Sequence, residues 1–208
     1  KAGYYLSMIR SRLIDMYGPG IIDQGGLEIV AALDLKLQEI AENAVKDGVR
    51  KIAPTLEGAL VCFDADTGNL LAAVGGSDFK ASPYNRALVA QRQPGSSIKP
   101  IIYAAAFEQG RQDTTTLVDN AVSFNPGPGQ PRWTPQNDDG KHHGTLTLRQ
   151  ALATSNNIIA VKLLESITVP VAVEYSRKVG LTPPAQPGLS YALGTDEVTL
   201  HDLTRAYI

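Results

Sequence analysis

The feature that most constrains the fold is one strong β-hairpin pattern in a chain whose other segments are mainly helical in pattern. Two apolar runs, residues 59–63 and 70–74, flank the turn segment DADTGN at residues 64–69. Apolar runs on either side of Asp, Thr, Gly and Asn are typical of a hairpin. A two-stranded sheet is only marginally stable alone, so the hairpin needs helices or further strands packed against it. We therefore expect an α+β fold with an antiparallel sheet, flanking helices and a helical cluster.

Most of the remaining apolar pattern has helical spacing. Asp34 stands where a side-chain cap is needed at the start of one such run, which extends to residue 52. Residues 27–33 favour a short strand, and the Pro- and Gly-rich residues 120–145 favour a long irregular segment. Helices are predicted at residues 1–17, 35–52, 96–108, 147–153, 158–166, 171–179 and 199–208.

A turn expected at Pro54 is the predicted boundary between two parts of the chain. We expect residues 1–55 to form a linker segment before the main domain, and residues 56–208 to form the N-terminal part of that domain. No strand of length is predicted after residue 110, although the hairpin needs sheet partners. We therefore expect the domain to be truncated before its last strands.

Composition and spacing exclude several kinds of partner. The net charge of −2 offers no basic surface for nucleic acid, and no apolar run is long enough to span a bilayer. A disulfide framework is excluded because Cys62 is the only cysteine. Asp64 and Asp66 resemble half of a calcium loop, but the hairpin turn accounts for them. We predict no metal and no cofactor, since metal-ligand spacing is lacking at His142, His143 and His201.

The segment QPGSSIKP, residues 93–100, places a hydroxyl and an amine three residues apart at a helix start. Residues at i and i+3 lie on one helical face, so the Lys99 amine is expected to reach the Ser96 hydroxyl. Serine becomes nucleophilic when a base removes its proton, and lysine is such a base only if burial lowers its pKa. The apolar run at residues 101–106 predicts that burial. We interpret Ser96 as a nucleophile and Lys99 as its base, with backbone N–H groups at the helix start available to an oxyanion.

Pro100 conflicts with a regular helix at this place. It lacks the N–H that would bond the Ser96 carbonyl, and it disfavours helical geometry at Lys99. Such local conflicts are typical of functional sites. Ser77 and Lys80 form a second Ser-x-x-Lys match, but in a polar loop with no apolar helix to bury the amine. The context therefore favours Ser96 over Ser77.

A second polar element, Ser155-Asn156-Asn157, stands between two predicted helices. The Ser155 hydroxyl could relay a proton to a leaving amine, and the Asn157 amide could hold a peptide group. Capping of the following helix is the ordinary alternative for such a sequence. Trp133 either lines the groove beside this site or fills the core, and we favour the groove.

Together these residues resemble the penicilloyl-serine transferases, and most closely the class A penicillin-binding proteins. The resemblance extends over nearly the whole chain in one order. It is carried by GGLEIVAALDLKLQEIAENAV (residues 25–45), GALVCFDADTGNLLAAVGG (58–76), RQPGSSIKPIIYAAAFEQG (92–110), WTPQNDDGKHHGTLTLRQALATSNNIIAVKLL (133–164) and YALGTDEVTLHDLTRAYI (191–208).

This resemblance implies a β-lactamase/transpeptidase-like fold and a peptidoglycan DD-transpeptidase. Ser96 would attack the D-Ala-D-Ala carbonyl of a stem peptide, with Lys99 as base, Ser155 as proton relay and Asn157 contacting the substrate amide. Penicillins and other β-lactams would acylate the same serine. The resemblance also implies a location at the extracytoplasmic face of the bacterial cell membrane, the periplasm in a diderm. A membrane anchor and a glycosyltransferase domain would then lie outside this chain.

The sequence departs from the family in lacking the Lys-Thr-Gly motif, which the resemblance places on a strand after residue 208. The chain alone is therefore expected to be inactive. One alternative is a binding or sensor module that captures β-lactam or stem peptide without turnover. The other is a serine β-lactamase or DD-carboxypeptidase, which the segment at residues 25–45 argues against.

Overall fold

The computed structural model of the protein describes residues 1–53, 55–125 and 132–208. The turn predicted at Pro54 lies outside the described residues, as does the middle of the irregular segment predicted at 120–145. The described residues form two compact units, one of residues 1–91 with 199–208 and one of residues 92–198. The boundary expected at residue 55 stays a prediction.

Helices and short strands alternate along the chain. Two 3₁₀-helices, Gly95–Ile98 and Leu189–Leu193, supplement the main elements. In chain order the main helices and strands are α1 (Gly3–Tyr17), α2 (Ile21–Gln24), α3 (Leu35–Ile52), β1 (Leu60–Phe63), β2 (Leu70–Val74), α4 (Lys99–Glu108), β3 (Thr116–Asp119), β4 (Gly144–Thr147), α5 (Leu148–Ala153), α6 (Asn157–Ile167), α7 (Val169–Lys178) and α8 (Leu200–Arg205).

In the first unit, α3 begins where the sequence predicts it. The Asp34 carboxylate accepts hydrogen bonds from the N–H groups of Lys36 and Leu37, at 2.8 and 3.0 Å. These bonds satisfy two of the backbone donors that a helix leaves unpaired at its start. The predicted cap is confirmed.

The predicted hairpin is confirmed as β1 and β2, which pair antiparallel. Asp64 holds the turn by accepting hydrogen bonds from the Thr67 N–H (2.8 Å) and hydroxyl (2.6 Å), as the turn interpretation requires. On the outer edge of β2, the buried Gln38 amide exchanges two hydrogen bonds with the backbone of Ala73, at 2.9 and 3.1 Å. A helix side chain thus occupies the place of a neighbouring strand at one residue of the β2 edge.

The strand predicted at residues 27–33 is wrong. These residues carry no strand ladder, and Leu27, Ile29 and Val30 are exposed, Val30 by 92%. A strand exists only if a partner accepts its backbone hydrogen bonds. The backbone bonds to β2 one residue after this segment, where the Asp34 N–H donates to the Leu71 carbonyl at 2.9 Å.

The second unit is a helical cluster with its own small sheet. Its core is formed by the apolar faces of α4, α5, α6 and α7, with Ile102, Leu148 and Leu164 fully buried. Strands β3 and β4 pair antiparallel, with Asp119 opposite Gly144. The absence of a strand of length after residue 110 was predicted, and these two strands have four residues each.

The mixture of helices with small antiparallel sheets confirms the predicted α+β class. The further strands expected beside the hairpin stay a prediction, since β1–β2 and β3–β4 are separate two-stranded sheets within the described residues. None of the helices in the described ranges is both long and apolar enough to cross a membrane.

Candidate active site

Ser96 lies in a 3₁₀ turn that leads directly into α4. Because Pro100 has no N–H, the Ser96 carbonyl accepts its hydrogen bond from Lys99 instead, in the tighter 3₁₀ pattern. The conflict predicted at Pro100 is present, since Lys99 keeps the helical geometry that a following proline disfavours, with φ −54° and ψ −44°. Proline is tolerated in the first turn of a helix, and α4 starts one residue before it.

Lys99 is buried, with only 1% of its surface exposed. Burial lowers the pKa of its amine from 10.5 to about 8, because a charged ammonium is disfavoured away from water. The nearby Asp138 carboxylate acts in the opposite direction and raises the pKa. The amine therefore exists partly in its neutral form near neutral pH, as a general base requires.

The hydrogen bonds of Lys99 go to the Ser155-Asn156-Asn157 segment. Its Nζ lies 2.6 Å from the Ser155 carbonyl oxygen, 3.0 Å from the Ser155 Oγ and 2.5 Å from the Asn157 Oδ1. Within the described chain no hydrogen bond joins the Lys99 amine directly to the Ser96 hydroxyl. Instead, a hydrogen bond joins the two hydroxyl oxygens of Ser96 and Ser155, 2.9 Å apart. The direct hydrogen bond expected from i,i+3 spacing is therefore absent among the described residues, and Ser155 bonds to both groups.

The partners of Lys99 determine where its lone pair can point. A neutral amine has two N–H donors and one lone pair. The Ser155 carbonyl and the Asn157 Oδ1 can only accept, so they take the two donors. The lone pair is then left for the Ser155 hydroxyl, which can in turn accept the hydrogen of Ser96. The arrangement can move a proton from Ser96 through Ser155 to Lys99.

Ser155 occupies a strained turn between α5 and α6. Its φ of 54° lies in the left-handed region, which costs a non-glycine residue roughly 1–2 kcal/mol. Strain of this kind is concentrated at functional sites. Asn156 is the cap of α6 and accepts a hydrogen bond from the Ile159 N–H at 2.8 Å. The capping alternative thus holds for Asn156, while Ser155 and Asn157 bond to Lys99.

The orientation of the Asn157 amide is set by its surroundings. Its Nδ2 donates to the Gln136 carbonyl at 2.9 Å and to the Asp138 carboxylate at 3.0 Å, so its Oδ1 faces Lys99. Asp138 and Gln136 were not singled out from the sequence. They belong to a loop between β3 and β4, and no local pattern connects them to α6.

Trp133 packs against the hydrophobic core of the second unit. Its backbone exchanges two hydrogen bonds with Phe124, and the two rings lie 5.9 Å apart between centroids. The predicted contact of Trp133 with a substrate stays a prediction.

The second Ser-x-x-Lys match has a different environment. The Ser77 N–H and hydroxyl both donate to the Glu57 carboxylate, at 2.7 and 3.1 Å, and Lys80 is exposed. These residues lie in a bend and a turn rather than in a helix. Lys80 thus lacks the burial of Lys99, and Ser96 remains the predicted reactive serine.

A cavity of about 350 Å³ adjoins the Ser155 turn. Such volume is in the range of small-ligand sites. Its lining residues are Asn137, Asp138, Asp139, His143, Leu146, Thr154, Ser155 and Asn156.

Comparison with known proteins was made on sequence and on fold. Residues 58–192 match the penicillin binding protein transpeptidase domain family. Penicillin-binding protein 1A of Neisseria gonorrhoeae is 46% identical over 156 residues, which is 74% of this chain and 20% of that protein. Penicillin-binding protein 1A of Aquifex aeolicus is 44% identical over 158 residues, 76% of this chain and 22% of that protein. The chain thus spans about a fifth of the length of these relatives.

Solved structures share the fold at lower sequence identity. Penicillin-binding protein 1A from Haemophilus influenzae has a TM-score of 0.85 at 22% identity, over 100% of this chain and 46% of that chain. The PonA1 protein from Mycobacterium tuberculosis in complex with penicillin V has a TM-score of 0.82 at 21% identity, over 99% of this chain and 57% of that chain. The predicted fold class is confirmed by this likeness.

Proposed function

Because the chain belongs to the penicillin binding protein transpeptidase domain family, as its sequence predicts, we propose that Ser96 is the nucleophile of a peptidoglycan DD-transpeptidase. The observation that carries the proposal is the continuous chain of hydrogen bonds from the exposed Ser96 hydroxyl through Ser155 to the buried Lys99 amine. A hydroxyl that substrate can reach is thereby connected to a base whose pKa is about 8.

In the acylation step, the Ser96 Oγ attacks the carbonyl carbon of the penultimate D-Ala of a stem peptide. The Ser96 proton moves to Ser155 while the Ser155 proton moves to Lys99, so the Lys99 amine becomes an ammonium. The C–N bond to the terminal D-Ala then breaks, and its nitrogen takes the proton back through Ser155. The Ser96 backbone N–H is available to the developing oxyanion, since no described group accepts its hydrogen bond.

In the second step, an amine from a neighbouring stem peptide attacks the Ser96 ester. The amine loses one proton through Ser155 to Lys99, the C–O bond to Ser96 breaks, and the proton returns to the Ser96 oxygen. The products are a cross-linking amide and the free enzyme, with the Ser96 hydroxyl and the neutral Lys99 amine restored. β-Lactams would acylate Ser96 by the same first step, and the PonA1 protein, which shares the fold, has been solved with penicillin V.

We propose that the chain acts in the context of a longer protein at the extracytoplasmic face of the bacterial cell membrane. Relatives of which the chain covers only about a fifth support this context. Residues 56–208 would be the N-terminal part of the transpeptidase domain, and the family match beginning at residue 58 supports that division. No Lys-Thr-Gly occurs in the 208 residues, so the chain alone would not be acylated.

The test is covalent labelling of the full-length protein with a fluorescent penicillin. We expect the label on Ser96, abolished by Ser96→Ala and retained by Ser77→Ala, the matched control in the other Ser-x-x-Lys match. Peptide mapping that finds the label on Ser77, or on no serine, refutes the proposal. The 208-residue chain alone serves as the comparison and should remain unlabelled.

A second candidate is a module that captures stem peptide or β-lactam without turnover, because the Lys-Thr-Gly motif is missing from the sequence. Release of D-Ala from a D-Ala-D-Ala peptide separates the two. One equivalent of D-Ala per protein, with no further release when an acceptor amine is added, favours the capture module. Continuous release of D-Ala that depends on the acceptor amine favours the transpeptidase. Continuous release of D-Ala with water as the only acceptor favours a carboxypeptidase.

A further inference from the structure

We propose that Asp119 is a positioning residue, whose buried carboxylate holds the Ser155–Asn157 turn against Lys99 by orienting the side-chain amides of Asn137 and Asn156. The inference rests on the proposed function, since it concerns the geometry of the same proton path. Among the described residues, Asp119 forms no hydrogen bond with Ser96 or Lys99. It acts through two asparagines and the start of α6.

The Asp119 carboxylate is surrounded by donors. It is the last residue of β3, and its side chain is fully buried. Its Oδ2 accepts hydrogen bonds from the Asn137 Nδ2 at 2.8 Å, the Asn156 Nδ2 at 2.8 Å and the His143 backbone N–H at 2.9 Å. Its Oδ1 lies 3.5 Å from the His142 Nδ1. Burial of a carboxylate without such donors would cost several kcal/mol of stability. The charge of Asp119 is therefore tolerated in the interior because these donors surround it.

The carboxylate remains ionised near neutral pH. Burial acts to raise the pKa of Asp119, but the hydrogen bonds from Asn156, His143, His142 and Asn137 together outweigh it and lower the pKa below its ordinary value. A charged acceptor forms stronger hydrogen bonds than a neutral one. The two asparagine Nδ2 groups are therefore held firmly towards Asp119.

With its nitrogen held by Asp119, each asparagine presents its oxygen to the start of α6. The Asn137 Oδ1 accepts from the N–H groups of Asn157 and Ile158, at 2.9 and 3.4 Å. The Asn156 Oδ1 accepts from the Ile159 N–H at 2.8 Å. The first three backbone donors of α6 are thus satisfied by two amides that share the Asp119 carboxylate, and the Asn137 Nδ2 also donates to the Lys141 carbonyl at 2.8 Å. If either amide turned over, its nitrogen would face backbone N–H donors and its oxygen would face a carboxylate.

The turn held in this way carries the groups that define the proton path. Ser155 comes just before the cap and has the strained φ of 54°. Its carbonyl, its hydroxyl and the Asn157 Oδ1 take the three hydrogen bonds that the Lys99 amine forms with described residues. The strained conformation persists only if the surrounding structure holds it. Release of the α6 start would let Ser155 relax away from Lys99, which would admit water to the amine.

The experiment compares Asp119→Leu with Asp119→Asn in the full-length protein. Leucine is similar in size but cannot accept a hydrogen bond. We expect it to lower the second-order rate of penicillin acylation at least tenfold per folded molecule. We also expect the acid limb of the rate–pH profile to move to higher pH, because a hydrated Lys99 has a higher pKa. Among described residues the charged group that acts on Lys99 is Asp138, which both variants retain.

Asparagine should rescue the function. Its oxygen can take the place of the Asp119 Oδ2 and accept the same three hydrogen bonds, while its Nδ2 can donate to the His142 Nδ1 in the tautomer that leaves this nitrogen free. We expect a rate within about threefold of the wild type and an unmoved acid limb. Val173→Ala, a core truncation in α7, is the control for lost stability. It should lower the melting temperature but leave the rate per folded molecule and the pH profile unchanged.

A second variant keeps the test decisive if Asp119→Leu does not fold. Asn137→Ala removes one arm of the network and leaves Asp119 with its other donors, and we expect a threefold to tenfold loss with the same direction of pH change. A wild-type rate and acid limb in the folded variant would overturn the positioning role and leave Asp119 as a group that only stabilises the fold. If the wild-type protein itself is not acylated at Ser96, the proposed function fails and the inference fails with it.

Discussion

Replacement of Lys99 by arginine is the sharpest test of the proton path. Arginine keeps a long cationic side chain at residue 99 but does not give up its proton at accessible pH. If Lys99 acts as the base, Lys99→Arg removes the neutral form while leaving a donor for the Ser155 carbonyl and the Asn157 Oδ1. If Lys99 only fills the core, arginine should support acylation of Ser96.

The size of the effect follows from the burial of Lys99. Burial lowers the pKa of its amine from 10.5 to about 8. At pH 7 the neutral fraction therefore rises from roughly 0.03% to roughly 10%, about 300-fold. An arginine, whose pKa lies far above neutral pH, has essentially no neutral form at that pH. We expect Lys99→Arg to lower the acylation rate at pH 7 by at least about 100-fold, the scale of a lost general base.

The assay is the second-order rate of acylation of the full-length protein by a fluorescent penicillin, from pH 5 to pH 10. The wild-type rate should rise about tenfold per pH unit below pH 8 and level off above it, since the neutral amine is the active form. Lys178→Arg, at an exposed lysine that pairs with Glu108, is the matched control and should behave as wild type. Melting curves check that the larger side chain is accommodated. Similar rates for wild type and a folded Lys99→Arg across the whole range would refute Lys99 as the base.

Two further predictions concern the surroundings of Ser96 and Lys99. Asp138→Asn should move the acid limb of the acylation rate–pH profile to lower pH, because the Asp138 charge raises the pKa of Lys99. The matched control Asp139→Asn should leave the profile unchanged. An unmoved acid limb in Asp138→Asn would contradict the influence of the Asp138 charge on Lys99. Gly194→Ala should cost about 2–4 kcal/mol of stability and slow acylation at least tenfold, since a Cβ at Gly194 would lie 2.2 Å from the Gly95 carbonyl oxygen and its φ is +69°. Gly110 has a similar positive φ with open space around it, so Gly110→Ala should lose only the stability that backbone strain costs and should leave the acylation rate unchanged. Equal slowing of acylation in both variants would show that the clash with Gly95 is not the cause.

Local structure was predictable where it depends on neighbouring residues. The Asp34 cap and the hairpin turn at Asp64 follow from side chains within four residues of the groups that they bond. The strand predicted at residues 27–33 failed for the complementary reason. Its apolar run is a property of the segment, but a strand also needs a partner that the segment cannot supply.

For the site, the sequence singled out Ser96, Lys99, Ser155 and Asn157, and the structure brings all four together. It did not predict how they are connected. Helical spacing favoured a direct bond between Lys99 and Ser96, whereas the amine bonds to groups 56 and 58 residues away. Buried donors bond to the acceptors that the fold brings near them, and sequence distance has no part in that choice.

The sequence by itself thus determined the family, the helices and hairpin that local bonds define, and the types of residue needed for the chemistry. The sequence predicted that burial would lower the pKa of Lys99, but only the tertiary structure decided by how much, and it alone decided the intermediate position of Ser155 and the role proposed for Asp119. Each of these depends on burial and on contacts between segments: water must be excluded from an amine, and β3, the loop after it and α6 must meet around one carboxylate. Such contacts are set by packing of the whole unit, and the residue pattern along the chain does not specify which distant segments meet.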